Sequence, residues 1–323
     1  FFFIILLEDF GYMARAAFLM DRIVGGVGLH GRSFIPLLSS FACAIPGIMA
    51  TRVIDNPRQR LATIMIAPLM TCSARIPVYT LIIGAFIPQT HLYGVINLQG
   101  LVMFALYAAG IVSAFIVAWI FRVIVWNGKS EPFIMELPSY KRPSLRSVFI
   151  NVLQRGFVFL RRAGTTILSM MVLIWFLASV PGAPEGATEP AINYSLAGMI
   201  GHLLQPLLAP IGFNWQIAVA LIPGMAAREV VVSSLATVYA LSSSSADAAE
   251  ALIPLISSDW SLATALSLLA WFVFAPQCLS TIAAVKRETG GWKIPAVMLS
   301  YLFGLAYIAS FITYRVAIYF GLS

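Results

Sequence analysis

Three cysteines, Cys43, Cys72 and Cys278, each lie within a few residues of a proline in otherwise apolar sequence. Cys43 precedes Pro46-Gly47, Cys72 lies between Pro68 and Pro77, and Cys278 follows Pro276. Their number is odd and their spacing wide, which argues against a disulfide framework, and no CxxC cluster is present. A lone membrane cysteine ordinarily serves as a small apolar filler. Beside a helix break it has a second use. A thiol is a soft ligand suited to a late first-row divalent metal and poor for Mg or Ca, and a freed carbonyl nearby would complete a weak, transient site. Glu229 is a candidate anionic partner in a similar setting. Cys43, Cys72, Glu229 and Cys278 are therefore the candidate metal-contacting residues.

Two arginines also sit within apolar stretches: Arg75 inside Leu61–Phe86, and Arg228, next to Glu229, inside Gln216–Leu241. Ionisable groups at membrane depth are expensive and need partners. Arg228 and Glu229 point about 100° apart on a helix, so they do not serve each other. Glu229, Glu8 and Asp9 are the acidic residues that could pair with Arg75. For the arginines, locking the helix bundle is the favoured role, because a cation path should not expose a fixed positive charge. His30, His91 and His202 form no ligand pair.

The elements that must position these residues are membrane helices. Of 323 residues, 60% are hydrophobic and 10% charged, whereas a soluble domain carries about 25% charged residues. Apolar runs at Phe34–Thr51, Leu61–Phe86, Ala163–Val180, Gln216–Leu241, Trp260–Val285 and Ile294–Tyr314, with the uncharged stretch Ile76–Phe121, predict an all-α polytopic membrane protein of about eight to ten transmembrane or re-entrant helices. Segments 12–28 and 195–212 are weaker and suit interfacial or re-entrant helices. Pro46-Gly47 and Pro223-Gly224 predict broken helices. Such breaks are tolerated in lipid only where the freed carbonyls are buried or line a wet cavity, and they point to a transporter's binding site.

The two halves echo each other. Ile45-Pro46-Gly47 matches Ile222-Pro223-Gly224, and Leu61-Ala62-Thr63 before Ala67-Pro68 and Cys72 matches Leu262-Ala263-Thr264 before Ala275-Pro276 and Cys278. This predicts a first gate-like repeat with its following helix over 1–126, a basic cytoplasmic connecting segment over 127–162, and a second gate-like repeat with the last helix over 163–323. The positive-inside rule places Arg52, Arg58, Arg60, the basic segment and Lys286, Arg287 and Lys293 inside, and the acidic loops 181–190 and 242–259 outside. The repeats are then inverted if 195–212 crosses the bilayer and parallel if it lies on the surface.

The net charge of +7 does not imply a nucleic-acid partner, because the positive residues end apolar runs and form no face. Gly128-Lys129-Ser130 supplies only the tail of a phosphate loop, and the leading glycine position is Val123 in an apolar run, so no nucleotide site is expected here. No hydrolase arrangement stands out, and the chain reads as a non-enzyme. The opening run Phe1–Leu7 is too short to span a bilayer and lacks the flanks of a signal peptide. It reads as the end of a helix cut by a fragment boundary.

Several motifs resemble one known family. Leu7-Glu8-Asp9-Phe10-Gly11-Tyr12-Met13-Ala14-Arg15, Cys43-Ala44-Ile45-Pro46-Gly47, Thr71-Cys72-Ser73-Ala74-Arg75-Ile76-Pro77, Ala227-Arg228-Glu229-Val230 and Lys286-Arg287-Glu288-Thr289-Gly290-Gly291-Trp292 are similar to the permease region of the ferrous iron transport protein B (FeoB) family. The Thr-Cys-Ser-Ala-Arg run is the most specific. Arg228 stands where that family leads one to expect lysine, and the spacing around Cys278 matches less well. The resemblance implies Fe²⁺ as the transported substrate, a bacterial inner membrane and no cofactor bound in this part. It also implies a cytoplasmic GTPase domain upstream that would bind GTP, with small accessory proteins and self-association as further partners. It implies that Cys43 and Cys72 line the iron path. Two other readings stay open: a gate-type transporter of an organic solute such as a nucleoside, and a non-transporting membrane anchor for a GTPase.

Overall fold

A computed structural model describes residues 2–92, 96–124, 140, 144–182, 194–239, 247–276 and 278–321. Apart from a two-residue antiparallel pair, His91–Leu92 with Ile96–Asn97, its regular structure is helical. The helices are α1 (Phe2–Asp9), α2 (Tyr12–Gly26), α3 (Phe34–Ala42), α4 (Ala44–Ala50), α5 (Pro57–Ile66), α6 (Ile76–Phe86), α7 (Leu98–Ile124), α8 (Leu145–Ser179), α9 (Leu196–Leu208), α10 (Trp215–Gly224), α11 (Val230–Val238), α12 (Asp247–Asp259), α13 (Leu262–Phe274), α14 (Leu279–Thr289) and α15 (Lys293–Tyr319). Among the described residues, four stretches are long and apolar enough to cross a bilayer: Pro57–Phe86, Leu98–Val123, Leu262–Thr289 and Lys293–Tyr319.

Two of these four are broken in the middle. Between α5 and α6 the chain makes short 3₁₀ turns at Ala67–Leu69 and Ser73–Arg75, with Met70, Thr71 and Cys72 outside any helix. Between α13 and α14 it leaves the helix at Ala275, which is extended (φ −57°, ψ 151°). Proline disfavours helical backbone in the residue before it, and Pro276 follows. The starts of α5 and α13 are capped in the same way. Asn56 accepts the Arg58 amide at 3.0 Å, and Ser261 accepts the Thr264 amide at 3.2 Å; each cap satisfies an amide that the first turn leaves without a helical acceptor.

Each run predicted from a Pro-Gly pair is a hairpin of two short helices, and the break lies beside the pair, not within it. Pro46 has no amide hydrogen for the Ala42 carbonyl four residues back, and its ring would crowd that oxygen. So α3 ends at Ala42, Cys43 is extended (φ −160°, ψ 133°) and α4 starts at Ala44. Pro46 then sits in the first turn of α4, where no donor is needed. In the second hairpin α10 runs through Pro223 to Gly224, and Met225–Glu229 connects it to α11. The glycines do not loosen these helices. They let the arms touch. A Cβ on Gly47 would overlap Ser40 Oγ and lie 2.7 Å from the Pro36 carbonyl oxygen, and one on Gly224 would overlap Val231.

Three further segments differ from expectation. Helix α8 begins at Leu145, well before the apolar run at Ala163, so part of the basic connecting segment is helical. At about 1.5 Å per residue, its 35 residues are longer than a bilayer core requires. Residues 247–259 form α12 and not a loop. Segment 195–212 forms α9 and a 3₁₀ turn, and the chain then bends by 105° into α10. Gly212 makes that corner with φ +82°, and the Tyr314 ring occupies the place a Cβ would take. Residues 125–139, including Gly128-Lys129-Ser130, and the loop residues 183–190 and 242–246 lie outside the described residues.

By its contacts the chain forms two compact units. One comprises Phe1–Ser73, Gly110–Thr166 and Ser280–Met298; the other comprises Ala74–Ala109, Ile167–Leu279 and Leu299–Ser323. The first holds the hairpin α3–α4, helix α5 and nearly all of α14. Its buried side chains include Leu29, Ile48, Ile64, Ile66 and Leu69. The second holds the hairpin α10–α11, helix α13 and α6. In it α6 packs against α11, α12 and α13 around Tyr79, Ile82, Leu235, Leu252, Ile256 and Phe272. Each unit thus combines a hairpin and the first half of a broken helix from one repeat with the second half of the broken helix from the other.

Candidate functional site: two helix breaks beside hairpin connections

In the first unit, the Ser73 hydroxyl donates to the Ala42 carbonyl at 2.9 Å. Ala42 O is the acceptor that Pro46 cannot serve, so the bond satisfies a carbonyl the hairpin break has freed. It also draws together the two unwound segments that carry Cys43 and Cys72. Cys72 is buried at 5% exposure, Cys43 is half-buried, and neither is in a disulfide. The neighbouring Thr71 is 1% exposed, and its hydroxyl has no hydrogen-bond partner among the described residues. Helix α7 comes close here because residue 110 is glycine: a Cβ there would lie 3.0 Å from Thr71 Oγ1 and 3.1 Å from the Leu69 carbonyl. Ser73, Thr71 and Gly110 were not singled out in the sequence. The Thr-Cys-Ser run was the available signal for the first two, and Gly110 gave none.

In the second unit, the hairpin connection meets the second break in a related way. The Leu279 amide donates to the Met225 carbonyl at 3.0 Å, which sets the segment carrying Cys278 beside the one leading to Glu229. Cys278 is half-buried. Glu229 is exposed at the start of α11, where a carboxylate complements the helix dipole. The buried guanidinium of Arg75 donates to the Val273 carbonyl at 2.9 Å and the Ala275 carbonyl at 3.4 Å. That of Arg228 donates to Ala275 O at 2.8 Å and to Pro276 O. The arginines therefore bind the end of α13. Of the acidic residues considered as partners for Arg75, Glu229 is exposed, the Asp9 carboxylate accepts the Ser144 amide at 2.9 Å, and the side chain of Glu8 lies outside the described residues.

Cys43 and Cys72 thus share one neighbourhood, as do the segments of Glu229 and Cys278. Among the described residues no three His, Cys, Asp or Glu side chains converge as a metal cluster. Any metal held here would take its ligands from one or two thiols plus backbone and hydroxyl oxygens, a donor set suited to transient binding of a borderline-soft cation.

A charge cluster lies elsewhere in the first unit. Glu288 on α14, its side chain 3% exposed, accepts from Arg52 at 2.6 Å and Arg60 at 2.7 Å. Its hydrogen bonds and charge raise Arg52 further above the ordinary arginine range. Glu288→Gln would leave both arginines facing a neutral group. The thermal midpoint of the detergent-solubilised protein should then fall by roughly 2–4 °C, and the loss should shrink in high salt, where ion pairs matter less. An unchanged midpoint at low salt would show the cluster to be structurally idle.

The Gate family pattern, described as nucleoside recognition, matches residues 1–86 and 160–292. The pattern of the ferrous iron transport protein B C terminus matches residues 103–155. The chain belongs to the Gate family, and over nearly its whole length it is similar to part of the FeoB proteins. It is 42% identical, over 98% of its length, to the Fe(2+) transporter FeoB of Leptospira interrogans serovar copenhageni, of which it covers 47%. It is 41% identical over 98% of its length to the Fe(2+) transporter FeoB of Staphylococcus aureus strain COL, covering 45% of that protein. A Porphyromonas gingivalis protein described as a fusion of Fe(2+) transport protein A and Fe(2+) transporter FeoB is 39% identical over 99% of this chain, which covers 42% of it. The chain therefore spans about half the length of the curated relatives it matches. No solved structure matches it.

Proposed function

We propose that this chain is the Fe²⁺ pathway of a GTPase-coupled uptake system in the bacterial inner membrane. The observation that carries the reading is the Ser73–Ala42 bond, which joins the unwound segments of Cys43 and Cys72 in one unit. A permeating divalent cation must exchange its hydration shell for protein ligands. Unwound backbone offers carbonyl oxygens, Thr71 offers a buried hydroxyl, and the two thiols favour Fe²⁺ over hard cations such as Mg²⁺. Glu229 and Cys278 would serve the same cation at a second step. The relatives are named as Fe(2+) transporters, which supports the cargo. The fusion relative supports a small partner protein. The GTPase, supplied by polypeptide outside this chain, would act through the basic ends of the helices, taken as cytoplasmic.

The family pattern's description as nucleoside recognition keeps an organic solute as the second reading. Flux into proteoliposomes holding the intact polypeptide and GTP separates them. Fe²⁺ should enter, excess unlabelled Fe²⁺ should compete, and nucleosides should neither compete nor enter. Nucleoside entry without Fe²⁺ entry would overturn the proposal in favour of the organic solute. Intact GTPase activity with no flux of either would overturn it in favour of an anchor.

A further inference from the structure

We propose that Arg75 and Arg228 form a two-armed clamp that fixes the break after α13 and withholds its carbonyl oxygens from the permeating cation. The two side chains arrive from different places in the sequence: Arg75 three residues after Cys72, and Arg228 in the connection between α10 and α11. Both are buried, at 0% and 4% exposure. They converge on adjacent acceptors and share one. Arg75 donates to the Val273 and Ala275 carbonyls, and Arg228 to the Ala275 and Pro276 carbonyls. The Arg228 guanidinium also lies 5.0 Å from the centre of the Phe272 ring.

The chemistry of the clamp follows from the break. The last carbonyls of a helix have no amide partners within it, and they carry the negative end of the helix dipole. Such a terminus attracts cations and is a natural place for a transported metal to pause. Here guanidinium groups already occupy that place. A divalent cation approaching these carbonyls meets two fixed positive charges at close range in a low-dielectric setting. While the clamp is closed, this break is a support and not a binding step, and Cys278 is held by it through Pro276 on one side and the Leu279–Met225 bond on the other. Arg75 and Arg228 are thus positioning residues for Cys278. That they withhold oxygen from iron rests on the proposed function; that they hold Cys278 does not.

The test uses the intact polypeptide in membrane vesicles and reads maleimide labelling of each cysteine by mass spectrometry, without iron. Arg228→Ala removes the donor to the Pro276 carbonyl and one of the two to the Ala275 carbonyl, and it should speed labelling of Cys278 on the order of tenfold while leaving Cys43 and Cys72 unchanged. Arg228→Lys keeps a charged group with three donors, and it should label within about twofold of the parent. Arg75→Ala should behave as Arg228→Ala does. If the alanine variants do not reach the membrane, Arg228→Gln, which keeps one neutral donor group, should label Cys278 faster than both the parent and Arg228→Lys. Equal Cys278 labelling across the folded variants, or equal acceleration at all three cysteines, would overturn the clamp. Neither result bears on whether Fe²⁺ is the cargo, which the flux experiment decides separately.

Discussion

Changing Cys72 to serine is expected to slow Fe²⁺ uptake by roughly 10–100-fold, and Cys43→Ser by a similar factor, with GTP hydrolysis intact. Serine is nearly isosteric but replaces a soft sulfur by a hard oxygen. The fold should tolerate it, since both residues lie in unwound segments where Ser73 already places a hydroxyl. The selectivity should move with the rate. A serine-lined path holds Fe²⁺ less well relative to Mn²⁺, which prefers oxygen, so Mn²⁺ should become a better competitor. The double variant should be little worse than the stronger single one if the two thiols act on the same bound ion, because neighbouring groups that act as a unit are not additive. Uptake by the double variant at the parent rate would remove sulfur from the mechanism. Loss of uptake together with loss of folded protein would not count as support, so melting curves must accompany the rates.

The second large effect concerns Gly47. Its hairpin is closed by contact between bare backbone on α4 and the Ser40 and Pro36 positions of α3. Gly47→Ala puts a methyl group where Ser40 Oγ stands and 2.7 Å from the Pro36 carbonyl oxygen, which is backbone and cannot swing away. Overpacking of this kind costs about 1–3 kcal/mol. Opening the hairpin would also pull Ala42 from Ser73, so uptake should fall beyond what the stability loss explains. Adding Ser40→Gly to Gly47→Ala removes the first clash and leaves the second, so it should recover part of the midpoint and not all of it. A Gly47→Ala protein with parental midpoint and uptake would mean that the hairpin arms do not approach as closely as described.

The two effects differ in how far they could be read from sequence. The cysteines could be found because proline marks breaks, and each cysteine lies near one. The Pro46-Gly47 pair marked the first break, and its exact place was legible too: a proline's missing bond and ring clash fall on the carbonyl four residues earlier. For Pro46 that is Ala42, which puts the break at Cys43 itself. The role of Gly47 was not legible, because what it touches is set by how α3 folds back on α4. A glycine that loosens a helix and one that admits a neighbour look the same in one dimension.

The buried arginines show the same division. Their depth and cost were evident from the apolar runs around Arg75 and Arg228. Their acceptors were not, since Val273 lies 198 residues from Arg75 in sequence and offers only a main-chain oxygen, which no residue type announces. Carboxylates are the partners that a residue type does announce, and these guanidinium groups bind main-chain oxygens instead. The helical character of the membrane part followed from composition and run length. Helix α12 was hidden because its acidic residues and prolonged polar lead-in looked like an outer loop.

The proposed pathway requires that sulfur at the two breaks of the first unit touch the cargo. X-ray absorption at the iron edge, on the intact polypeptide loaded anaerobically with Fe²⁺, tests it most directly. The bound iron should show a sulfur shell that weakens in Cys72→Ser and disappears in the Cys43→Ser, Cys72→Ser double variant. Iron bound to the parent protein through oxygen and nitrogen alone, or a sulfur shell that survives in the double variant, would contradict it.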